Sequence, residues 1–78
     1  MKQPQPKAAQ FVMCIANGDY PASLELRKVY VVIPDQESLK DKMFRVVDES
    51  GEDYLYPMSY FVELELPKQA QRIFIIAA

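Results

Sequence analysis

Short apolar runs divided by Gly, Pro, Asn and Asp set the rhythm of this chain. Phe11-Val12-Met13-Cys14-Ile15 is aromatic and β-branched enough to predict a strand. Asn17-Gly18-Asp19 and Pro21 break it, because Asn-Gly takes positive φ cheaply and Pro removes a donor. Leu24-Glu25-Leu26 alternates once, as a half-buried strand would. Val29 to Ile33 is a second dense run, stopped by Pro34-Asp35. The polar stretch Asp35 to Lys42 predicts a loop with one helical turn, capped by Asp35, with Leu39 and Met43 on one side.

The clearest hairpin joins Phe44-Arg45-Val46-Val47 to Tyr54-Leu55-Tyr56 through Asp48-Glu49-Ser50-Gly51-Glu52-Asp53. Gly51 supplies the positive φ of the turn, and the crowded carboxylates place the tip in water. Pro57 ends the second arm. Val62, Leu64 and Leu66 then alternate with Glu63 and Glu65, the period of a strand with one apolar face. Pro67 stops it. Lys68 to Ala78 reads two ways, as a helix opened by Pro67 or as a strand through Arg72-Ile73-Phe74-Ile75-Ile76. The strand is preferred, paired with the rest of the fold or, through Ile73–Ile76, with a second copy in a homodimer.

Short strands, frequent turns and no long helix predict an all-β protein: a small barrel of five or six strands. A barrel also removes the exposed edges that such apolar runs would make hazardous. The organisation expected is an extended arm over residues 1–9, the barrel over 10–66, and a tail over 67–78 forming one more strand.

With 78 residues, half of them hydrophobic, one domain with a core of its own is expected. The single cysteine, Cys14, allows no internal disulfide and fits a reducing compartment. The first ten residues carry no apolar run of the signal-peptide kind, so a cytoplasmic location is expected. The net charge of −2 disfavours nucleic acid as a partner. Only a local patch of Arg27, Lys28, Lys42 and Arg45 would support a nucleic-acid-binding barrel.

The stretch Tyr54 to Leu64, YLYPMSYFVEL, resembles the end of an SH3 domain. There a strand runs into a proline, a 3₁₀ turn carries a tyrosine three residues on, and a last strand follows. Pro57, Tyr60 and Phe61-Val62-Glu63-Leu64 stand at those positions. The block Asp48 to Pro57, DESGEDYLYP, is similar to one in a group of small, uncharacterised bacterial SH3-like proteins. The resemblance implies an SH3-like barrel over roughly Phe11 to Leu66, a bacterial source and no established activity. The chain has no tryptophan, and its first loop holds only Asp19 as an acid. The resemblance therefore implies the fold rather than recognition of proline-rich peptides.

Chemistry-bearing residues are few. No histidine is present, which removes Cys-His catalysis and the usual zinc sets; Cys14 reads as a small core hydrophobe. The acidic tip lacks the order of acids and glycine found in a calcium loop. No enzyme activity, cofactor or metal is expected. What remains is a surface patch of Tyr20 and Tyr60 with Leu55 and Pro57 as a ligand-binding site, because tyrosine gives large contact area at low entropy cost. The expectation is a non-catalytic protein-interaction module for another protein or a peptide. The alternatives are the nucleic-acid-binding barrel and an assembly protein associating through its C-terminal strand.

Overall fold

The computed structural model describes residues 10–76; the expected arm over residues 1–9 lies outside them. The chain is mostly β, with five antiparallel strands and two short helices. The strands are β1 (Gln10–Cys14), β2 (Val29–Ile33), β3 (Met43–Val47), β4 (Asp53–Pro57) and β5 (Phe61–Leu64). They lie in the order β4-β3-β2-β1-β5. The last strand therefore returns beside the first, with Cys14 opposite Phe61 and Phe11 opposite Leu64.

The core lies on one face. Val12 and Cys14, Tyr30 and Val32, Phe44 and Val46, Tyr56, and Phe61 alternate inward from the successive strands. Phe44 on β3 and Phe61 on β5 are separated by three strand spacings, about 14 Å in a flat sheet. Their ring centroids are 6.2 Å apart. The sheet is therefore strongly curled. It does not close, because β4 and β5 are its two edges and are not hydrogen-bonded to each other.

The helical turn expected after Pro34 is α1 (Gln36–Lys40). Asp35 caps it, accepting from the N–H groups of Glu37 and Ser38. Ser38, not Leu39, is its buried residue. Arg45 on β3 ties this cap to β4, donating to Asp35 at 2.8 Å and to Asp53 at 3.0 Å.

Three expectations are corrected. Leu24-Glu25-Leu26 is not a strand: Leu24 is fully buried within a long loop. The alternation of β5 is real, but Phe61 faces the core, while Val62 and Leu64 share the outer face with their opposites Met13 and Phe11. The C-terminal segment is a helix, α2 (Lys68–Ile76), not a strand. Pro67 starts it, accepting from the N–H groups of Ala70 and Gln71. Lys, Gln and Ala favour the helix, and the placement of Phe74 decides it. Its ring lies 5.6 Å from that of Phe11, which is buried on the outer face of β1. A tertiary contact thus overrides the β propensity of Ile73-Phe74-Ile75-Ile76. Pairing of Ile73–Ile76 as a strand with a second copy has no basis in this helix, whose hydrogen bonds are made within the segment. No helix among the described residues is long and apolar enough to cross a membrane.

Candidate functional site

The loop between β1 and β2 is built before it can present anything. The Tyr20 N–H donates to Asn17 O, and the N–H groups of Ser23 and Leu24 donate to Tyr20 O. The Asn17 side-chain amide closes the loop by donating to Leu24 O at 3.0 Å. Leu24 fixes it to the core, and Glu49 N–H reaches across to Ser23 O at 3.0 Å. This leaves the Tyr20 ring on the surface, 46% exposed, yet held on two sides. It stands nearly perpendicular to the Tyr56 ring, at 82° with centroids 5.2 Å apart, and the Tyr60 centroid lies 6.5 Å away. The T-shaped pair is worth about 1 kcal/mol beyond its burial.

Tyr60 is set by the 3₁₀ turn Met58–Tyr60. Its carbonyl accepts from Ile15 at 2.7 Å and from Ala16 at 3.2 Å, so the end of β1 pins its backbone. Its hydroxyl lies under Gly18. That residue has φ +52°, and a Cβ there would stand 2.0 Å from the Tyr60 oxygen and 2.9 Å from its Cζ. Gly18→Ala is therefore expected to cost about 2 kcal/mol, combining left-handed strain with overlap, and to shift the resonances of Tyr60 and Tyr20. Gly51→Ala is the control: φ is +86° with open space around it, so only the strain of about 1 kcal/mol applies. Equal urea midpoints for the two variants would remove the argument about Tyr60.

Beside Tyr20 runs an open groove of about 500 Å³. Tyr56 and Asp48 form its floor. Tyr20 and Ser23 rise from the loop, Ser50 from the hairpin turn, and Tyr54 and Leu55 from β4. Tyr54 is 50% exposed and Leu55 41%, so the walls are large side chains facing water. Pro57 and Tyr60 are half-buried and do not line the groove. Of the four residues named from sequence, Tyr20 and Leu55 meet here. Tyr60 supports Tyr20 from the other side, and Pro57 ends β4. Tyr54 was missed as a ligand contact because it shares a face with the buried Tyr56. Its exposure comes from standing nearer the open end of the edge strand.

The acidic tip does not stand wholly in water, as its composition implied. Asp48 is buried at 6% exposure. Its carboxylate accepts from the Tyr56 hydroxyl at 2.6 Å, the Ser50 hydroxyl at 2.6 Å and the Ser50 N–H at 2.9 Å. Burial alone would raise its pKa, but the bonds from Ser50 and Tyr56 outweigh it, and the net shift is downward. Burial chiefly, and then Asp48, push Tyr56 up to about 12. Glu49 accepts from the Tyr30 hydroxyl at 2.5 Å and pairs with Lys28 at 2.7 Å. The Lys28 bond and then the Tyr30 bond hold its pKa below the usual carboxylate range. Two of the four basic residues that could form a nucleic-acid patch, Lys28 and Arg45, are thus engaged by carboxylates. Cys14 is buried, and burial raises its thiol pKa. Among the described residues, no three Cys, Asp or Glu side chains are grouped to hold a metal.

Comparison with protein-family models, with curated proteins and with solved structures finds no match to this chain. The functional argument therefore rests on the groove itself.

Proposed function

We propose that the chain is a small SH3-like barrel serving as a non-catalytic protein-interaction module, with the groove at Tyr20, Tyr54 and Leu55 receiving an extended segment of another protein. One observation carries the reading. Three large apolar or aromatic side chains stand 41–50% exposed around one groove, above a floor fixed by the Tyr56–Asp48 hydrogen bond. Surfaces of this kind, rigid aromatics beside a few polar groups, supply binding energy without a large ordering cost. The barrel reading draws on the strand order, on the curl that brings Phe44 to Phe61, and on the 3₁₀ turn between β4 and β5. The Asp48–Pro57 block supports kinship with the small bacterial SH3-like proteins, and with it a cytoplasmic setting.

The test is selection of peptides from a random display library on the intact chain, followed by amide chemical-shift mapping. Shifts should concentrate on Tyr20, Ser23, Ser50, Tyr54 and Leu55. Tyr54→Ala and Tyr20→Ala should each weaken a selected peptide at least about tenfold, with the fold retained by circular dichroism. Peptides that map elsewhere, or bind both variants unchanged, would refute the proposal.

A further inference from the structure

We infer that the groove takes its ligand by strand addition: a basic, extended peptide pairs with the outer edge of β4. This rests on the interaction-module reading and specifies its geometry. The argument starts from the ladder between β3 and β4. At one end the Asp48 N–H donates to Glu52 O; at the other the Met58 N–H donates to Lys42 O. Both pairs continue the register in which Phe44 faces Tyr56 and Val46 faces Tyr54. Hydrogen-bonded pairs alternate along an antiparallel ladder. The even-numbered residues of β4 therefore bond to β3, and the N–H and C=O groups of Asp53 and Leu55 point away from the sheet. Among the described residues, no other strand pairs with that side.

Edges of this kind are usually blunted by charge, proline or a covering element. The other edge, β5, carries the charged Glu63, opposite Val12, at a position whose backbone groups point away from β1. On β4 Asp53 and Pro57 occupy the flanking outward positions, and the run Tyr54-Leu55-Tyr56 between them is uncharged. The exposed backbone of Leu55 opens beside the groove, whose aromatic walls can take alternate side chains of an added strand. Charge selects the occupant. The groove lining includes Asp48 and no Lys or Arg, and Glu52, which accepts from the Tyr54 hydroxyl, adds a second negative charge beside it, while Asp53 is already paired with Arg45. A peptide alternating apolar residues with Lys or Arg would match both the edge and this negative rim.

The experiment titrates the intact chain with five peptides: an octapeptide of alternating Val and Lys, the same peptide N-methylated on alternate amides in each of the two phases, a Val-Glu octapeptide, and a proline-rich decapeptide. The Val-Lys peptide should shift the groove resonances and slow exchange of the Leu55 amide. N-methylation in the pairing phase should weaken it at least about tenfold. The Val-Glu peptide should bind at least several-fold more weakly, and added salt should narrow that gap. Leu55→Pro removes the outward N–H without touching the β3 ladder and should abolish the slowed exchange. If it does not fold, the N-methylated peptides decide alone. Equal binding of N-methylated and unmodified peptides, or binding of only the proline-rich peptide in the groove, overturns strand addition and leaves the interaction module standing. Equal binding of the Val-Glu peptide overturns the basic occupant. Silence of the groove towards all five probes and every library peptide overturns both readings.

Discussion

Leu24→Ala is expected to lower stability by about 3 kcal/mol, read as a fall in the urea midpoint with an unchanged slope. The side chain is fully buried and packs into the main core, although its backbone belongs to a loop. A domain of this size commands only about 4–12 kcal/mol in all, so the loss takes a large share. Its effect on the site should be larger than on the sheet. Leu24 is the only buried residue between Ile15 and Lys28, so it is the loop's one anchor inside the core, beside the half-exposed contact of Tyr20 with Tyr56 and Tyr60. Removing it frees Tyr20, and amide exchange between Asn17 and Ser23 should quicken before that of β1 or β2 does. Leu26→Ala, at a position 43% exposed, should change stability by less than about 0.5 kcal/mol. Similar losses in the two variants would mean that the loop is not held by Leu24.

That residue also shows what the sequence makes legible and what it hides. The strands were readable because β-branched and aromatic runs ended at Gly and Pro, and the Asp35 cap because an acid precedes a polar turn. Leu24 looked like strand because one alternation, Leu-Glu-Leu, satisfies period two by chance; its burial depends on how the loop folds back. Phe74 looked like strand for a similar reason. Its local propensity is β, and the contact with Phe11 on the outer face, with the helix-favouring Lys, Gln and Ala before it, makes the helix the better arrangement. On the site, aromatic content pointed to Tyr20 and Leu55, but exposure of Tyr54 and burial of Asp48 are properties of the curled sheet. Four carboxylates in six residues read as solvated charge. One of them found three hydrogen-bond donors, and no pattern of residue types announces that.

Asp48→Ala should therefore cost about 3 kcal/mol, far more than an acid on a hairpin tip would. The substitution strands the Tyr56 hydroxyl in the core and leaves the Ser50 N–H and hydroxyl without their acceptor. Tyr56→Phe removes one of those bonds but strands less, since Asp48 keeps both bonds from Ser50; about 1 kcal/mol is expected. The double variant should cost less than the two losses added, because the second change removes the orphaned hydroxyl. Additive losses would show that the pair is not coupled. The pH dependence has a definite sign. Asp48 and Glu49 both have folded pKa values below their unfolded ones, so their contributions are fully present above the ordinary carboxylate range. They are lost as the pH falls below about 4 and through the folded values. Asp48→Asn should flatten that acid limb while leaving the Glu49 part. Tyr56 works in the opposite direction. Its pKa is raised to about 12, so its contribution holds below the unfolded value near 10 and is lost as the pH rises through 12. Ultraviolet titration of the tyrosines should show its late ionisation, and Asp48→Ala should move it down only partway, since burial is the larger cause. A complete return to the ordinary range would mean that the floor of the groove opens when Asp48 is lost. The site and the core would then be one structural unit, and ligand affinity and stability should fall together on acidification.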